Sequence, residues 1–97
     1  MSDEKKTDPP KNLSAIALEY EKEAEGAPKV VAKGKGNIAQ RILEIAEEHD
    51  IHIHRDADLM TVLEAVELNH EIPLEVYAVV AEIFAYIYRM NNEKKNA

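Results

Sequence analysis

The residues best suited to chemistry in this chain are its four histidines, His49, His52, His54 and His70. His52 and His54 stand two apart, so in an extended segment both imidazoles share one face, and imidazole is a common zinc ligand. No ligand set of recognised spacing such as His-Glu-x-x-His accompanies them, and Asp56 or Asp58 would have to complete a site from a separate element. An exposed strand face and a helix terminus explain these histidines without a metal, and none is expected. Lys33-Gly34-Lys35-Gly36 ahead of a helical segment suggests a phosphate cradle. The phosphate loop, however, has wider glycine spacing before its Lys and a Ser or Thr after it; here Gly36 and Asn37 follow, as in an ordinary strand-to-helix turn. Ser2 and Ser14 are the only serines, neither in a nucleophile turn, and the absence of cysteine removes disulfides, thiolate zinc sites and cysteine nucleophiles together. No catalytic residue and no cofactor are expected, which leaves a small metal- or nucleotide-dependent enzyme as a remote alternative.

The elements that would position these residues are readable from periodicity. Leu13 to Tyr20 alternates, with Ile16, Leu18 and Tyr20 on one face, and reads as a half-buried strand. After the loop Glu21 to Pro28, the β-branched run Lys29 to Lys33 ends at Gly34. Gly36 to Glu48 then sets Ile38, Ile42, Ile45 and Ala39, Leu43, Ala46 at helical spacing, closed by His49-Asp50. Ile51 to His54 alternates again, so a strand, a helix and a strand predict a right-handed crossover and a parallel pair. Asp56 or Asp58 caps a second helix carrying Leu59, Val62, Leu63 and Val66 through Leu68. Asn69-His70-Glu71 is a turn, and Ile72-Pro73 opens a third helix that buries Val76, Tyr77, Val80, Phe84, Ile87 and Tyr88. The expected fold is α/β (α+β): a small mixed sheet of about three strands surrounded by three helices.

Composition narrows the function classes. The 97 residues make one domain at most, expected over 13–90 between disordered tails at 1–12 and 91–97. A formal charge of -7 argues against a nucleic-acid partner, since phosphate recognition leans on clustered Lys and Arg. No apolar run approaches the roughly 18 residues of a membrane span, and the N-terminus lacks a signal-peptide layout, so the expected location is the cytoplasm. Between Glu44 and Glu75 lie ten acids and one base, Arg55: a solvated face, or a docking surface for a basic partner segment.

Four ordered blocks carry a resemblance. Ala15 to Tyr20 (AIALEY), Ala27 to Gly34 (APKVVAKG), Ala39 to Ile53 (AQRILEIAEEHDIHI), and Glu71 to Tyr77 (EIPLEVY) with Val80 to Tyr86 (VAEIFAY) resemble the FlhB/YscU family, specifically its cytoplasmic C-terminal domain. The likeness covers nearly all of Leu13 to Met90, and the Ala-Pro-Lys-Val-Val-Ala-Lys-Gly stretch is its most specific part. Members of that family have a membrane region and a cytoplasmic domain that cuts itself within an Asn-Pro-Thr-His loop. Here Pro10, Lys11, Asn12 and Leu13 fall at that loop, so the Asn nucleophile and the following proline are missing and no autocleavage is expected. The resemblance implies a stand-alone copy of the post-cleavage fragment.

It also implies a function: a non-enzymatic protein-binding module of flagellar or related type III export, active in substrate recognition and specificity switching. Its partners would be flagellar export substrates, export-gate proteins or a membrane-bound FlhB. Substrates would dock on an apolar patch formed by Ala27, Pro28, Ala81 and Phe84, unless helical spacing simply buries the last two. Phe84 is larger than the aliphatic residue expected there, and Glu21, Glu23 and Glu25 give the neighbouring loop an acidic rim. Because the family strand before the cleavage loop is absent, the strand bearing Ser14, Ile16, Leu18 and Tyr20 should present an open edge, available to a partner strand, the chain's own tail or a homodimer. The rival reading is a self-contained structural or regulatory protein that kept the fold and lost contact with the export gate.

Overall fold

The computed structural model describes residues 12–21 and 26–96, with side chains to residue 92. Residues 1–11 of the tail expected at 1–12 and the loop acids Glu23 and Glu25 lie outside the described residues. Strand β1 (Ser14–Glu19) and strand β2 (Lys29–Lys35) form an antiparallel hairpin, followed by helix α1 (Asn37–Glu48), helix α2 (Ala57–Leu63), a 3-10 turn at Leu74–Val76 and helix α3 (Tyr77–Asn96). The α/β class and three helices are as expected. Among the described residues the sheet, however, has two strands rather than three, and it is antiparallel rather than mixed. Ile51 to His54, read as a strand from its alternation, is irregular chain, and the crossover drawn through it does not exist.

The hairpin has two unlike faces, and the sequence sets both. Paired residues share a face, so Ala15 with Gly34 and Ala17 with Ala32 set four small residues side by side on one face. Helix α1 lies on that side, burying Ala39 completely and Ala15 to 6% exposure. The approach is close enough that a Cβ at Gly34 would overlap the Ile38 side chain. The opposite face carries Ile16 and Leu18, which pack on a core cluster of Leu63, Ile72, Val76 and Val80. A bulge between the two halves, with register 17/32 then 18/30, leaves Val31 as the extra residue of β2.

β2 is bonded along its far edge as well. Val30 N–H donates to the His70 carbonyl (3.0 Å), Asn69 N–H to the Val30 carbonyl (2.6 Å), and Ile72 N–H to the Pro28 carbonyl (2.9 Å). The expected turn at Asn69-His70-Glu71 is thus also a one-bridge antiparallel partner, Glu71 to Lys29. It leaves no room on this edge for a third strand from Ile51 to His54.

Helix ends follow local chemistry. Gly36 precedes α1 with φ 60 and ψ -124, a conformation that favours glycine. At the other end Ile51 N–H reaches back to the Ala46 carbonyl (2.8 Å) and Asp50 N–H to Glu47 (3.3 Å), with Asp50 left-handed at φ 57. This is a Schellman closure with aspartate where glycine is usual. The Asp56 carboxylate accepts from Leu59 N–H at 3.0 Å and caps α2, as one of the two expected caps. That helix stops at Leu63, short of the expected Leu68. α3 runs through the polar stretch from Asn91, expected as a tail, to Asn96, since elongation of a formed helix gains one backbone bond per residue fixed.

Two stability outcomes follow from these contacts. Gly34→Ala should destabilise the fold by about 1–2 kcal/mol through overpacking against Ile38. Ile38 is 62% exposed, so Ile38→Ala should restore most of that loss in the double variant, read as urea midpoints of the four proteins. Asp50→Gly should raise stability by about 0.5–1 kcal/mol by relieving the left-handed backbone, seen as a higher thermal midpoint.

Candidate docking surfaces

The four residues expected to form a docking patch sit where the hairpin's loop end meets the start of α3. Ala27 and Phe84 both pack, half-buried, against the Leu63, Ile72, Val76 and Val80 cluster. Pro28 holds the 69–72 segment through its carbonyl. Ala81 lies three residues before Phe84 on α3 and is exposed. The Phe84 ring meets Tyr20, with centroids 5.6 Å apart and planes tilted 45°. Phe84 therefore has two roles at once, its inner side in the core and its outer part at the surface. Tyr20, expected on the inward face of the strand and at its open edge, meets Phe84 from just past the end of β1, a placement that depends on the hairpin geometry and has no local sequence signal.

A second surface runs along β1. The Gly36 N–H donates to the Leu13 carbonyl at 2.8 Å, which makes 13/36 a hydrogen-bonded rank of the ladder. Bonded and non-bonded ranks alternate in an antiparallel pair, so 15/34 and 17/32 are bonded, while Ser14 and Ile16 turn their N–H and C=O groups away from β2. Leu18 does the same, because its partner Val30 uses its own groups on Asn69 and His70. Among the described residues no strand and no loop pairs with that edge. It opens into a cleft of about 1450 Å³ whose apolar walls include Ile42 and Ala46 of α1, Leu59 of α2, and Ile83 and Ile87 of α3.

The histidines and the glycine-lysine run have structural surroundings. His52 stands edge-on to Tyr86 at 5.9 Å, while His54 lies 3.8 Å from Asp56 and His70 4.0 Å from Glu67, so the expected shared imidazole face is not formed. Among the described residues no three of His, Cys, Asp or Glu gather to hold a metal ion. Lys33 donates to the carbonyls of Glu64 (3.1 Å) and Val66 (2.6 Å), just past the C-terminus of α2, where a cation suits the helix dipole. Gly34 admits α1 and Gly36 starts it, so Lys33 and both glycines of the run have roles in the fold.

No helix among the described residues is long and apolar enough to cross a membrane. The sequence profile of the FlhB HrpN YscU SpaS Family matches residues 10–87. The flagellar biosynthetic protein FlhB of Aquifex aeolicus (strain VF5) is 53% identical over 74 residues, which are 75% of this chain and 21% of that protein. The chain thus spans about a fifth of the FlhB sequence it matches. The protein YlqH of Bacillus subtilis (strain 168) is 35% identical over 82 residues, 84% of this chain and 88% of YlqH. Among solved structures, the cytoplasmic domain of FlhB from Shewanella putrefaciens superposes with a TM-score of 0.76 at 30% identity, covering 86% of this chain and 69% of that one. By sequence profile, by relatives and by fold, this chain belongs to the FlhB HrpN YscU SpaS family.

Proposed function

We propose that this protein is a non-enzymatic, cytoplasmic protein-binding module of flagellar or related type III export, which takes part in substrate recognition by docking apolar segments of export substrates on Ala27, Pro28, Ala81 and Phe84. The observation that carries the reading is the meeting of Ala27 and Phe84 on one core cluster, with exposed Ala81 three residues before Phe84 on α3 and Tyr20 against the Phe84 ring. A rigid apolar surface of this kind binds a segment with little ordering cost on its own side. Its floor is anchored in the core, so the geometry of the patch does not depend on the partner.

A second reading rests on a different observation. The unpaired β1 edge and its cleft suit a strand supplied by another protein of the export gate, such as a membrane-bound FlhB. The two surfaces adjoin, because Phe84 of the patch also lines the cleft along β1.

Ala81 provides the cleaner test of the patch. It is exposed on α3, so Ala81→Asp should cost the fold only about 0.5 kcal/mol in helix propensity. The variant is expected to bind a flagellar rod or hook subunit at least tenfold more weakly than the parent in isothermal titration, with Ala27→Asp weaker still. Binding by Ala81→Asp as tight as the parent's would remove the patch from the reading. A pull-down of the tagged protein from cells building flagella should recover export-gate or rod and hook proteins; their reproducible absence would count against the export role itself.

A further inference from the structure

The stretch 52–68, which contains α2, is fastened differently from the chain around it. It hangs between Ile51, whose N–H is tied to Ala46, and Asn69, whose N–H is tied to Val30. Each end adjoins or is a left-handed residue, Asp50 (φ 57) and Asn69 (φ 69). From 52 to 66, every main-chain hydrogen bond seen among the described residues closes within the stretch itself. The hydrogen bonds that join it to the sheet come from one side chain, Lys33, which donates to the Glu64 carbonyl (3.1 Å) and the Val66 carbonyl (2.6 Å). We infer that 52–68 is a hinged flap on one side of the cleft, opening as a unit about Asp50 and Asn69, and that the Lys33 ammonium is its clasp.

Lys33 occupies a position that packing alone would give to an apolar residue. It pairs across the hairpin with Ile16, and paired residues share a face, so it stands on the side that packs on the core cluster. Among the described residues no carboxylate forms an ion pair with it. Its acceptors are two carbonyls past the end of α2 that receive no main-chain N–H among the described residues. Carbonyls left over at a helix end need a donor wherever water is displaced. Here the donor belongs to β2, so closing the flap and satisfying those carbonyls are one event.

The apolar fastening is limited by comparison. Leu63, 3% exposed, is the single buried side chain between 52 and 68, with Leu59, Val62 and Val66 half-buried beside it. His52 adds an edge contact to the Tyr86 ring. The rest of the cluster, Ile72, Val76 and Val80, comes from chain beyond Asn69, and so do the bonds from His70 and Ile72 to β2. An open flap therefore leaves the hairpin, α1, the 69–72 pairing and α3 assembled. Elements held by few contacts open well below the cost of global unfolding. Leu59, Met60 and Leu63 line the cleft from the flap side, so the clasp sets how wide the cleft stands.

The test is native-state amide exchange by NMR on the full chain, at guanidinium concentrations below the unfolding transition. In the parent protein the Met60, Glu64 and Val66 amides, bonded within the flap, should exchange through an opening at least tenfold more populated than the one that releases Ala15 and Ala17 of the hairpin. Lys33→Met keeps the side-chain length and removes the charge and the donors. It should speed the flap amides at least tenfold further and leave Ala15 and Ala17 within about twofold of the parent. Lys33→Arg, which keeps a cation with N–H donors, should return most of the protection. Flap and hairpin amides released by one shared opening in the parent would overturn the inference. A Lys33→Met variant whose flap amides exchange as slowly as the parent's would do the same, as would one in which both sets accelerate alike. Should Lys33→Met fail to fold, the parent's own exchange pattern decides. The readout needs no partner, so it stands or falls apart from the export reading.

Discussion

β2 is the strand on which the other elements converge. A two-stranded hairpin is marginal by itself in water, so this one holds only because both faces and one outer edge are covered. Its inner edge bonds to β1, its outer edge at Pro28 and Val30 to the 69–72 backbone and its small-residue face to α1, Val30 is fully buried, and Ile16 and Leu18 of β1 join the remaining face of the hairpin to the second layer. Lys33 extends the same strand's reach by holding the chain where α2 ends. Among the described residues the far edge of β1 has no partner. The outer edge of β2 is bonded from Pro28 to Val30, whereas no described segment bonds to the far edge of β1.

The small-residue face explains why α1 can lie so close, and it sets the thickness of that layer. Ala15, Ala17, Ala32 and Gly34 offer almost no side-chain height, so α1 approaches the backbone closely and much of its apolar set turns elsewhere. Ile42 and Ala46 accordingly line the cleft, and Ile45 remains 39% exposed. On the other side α3 touches the core through Val76, Val80 and Phe84 and then runs on past it. The apolar residues that would close a thicker core border the cleft instead.

Much of this was legible from residue patterns, and the failures have physical causes. The alternation of Ile16, Leu18 and Tyr20, the helical spacing from Ile38 to Ala46 and the cap at Asp56 all correspond to elements in the structure. Ile51 to His54 misled because alternation alone cannot tell whether an edge is free. Ile51 is drawn back onto Ala46 by the end of α1, and the outer side of β2 is already bonded by a segment with no periodicity of its own. That pairing, carried by Asn69 in a left-handed conformation, has no signature beyond a turn residue. The same limit applies to Tyr20 beside Phe84, residues far apart in sequence that meet only once the hairpin and α3 are assembled.

The paired bonds between Val30 and the Asn69-His70 backbone also shape the folding reaction. They close a loop of about forty residues, whereas the hairpin and its packing against α1 involve contacts near in sequence, and loop-closure entropy grows with the length enclosed. The hairpin and α1 therefore form the early, local part of the structure. The 69–72 segment, arriving later, converts β2 from an edge strand into an interior one, and during that interval both strands of the nascent sheet are exposed to a competing chain.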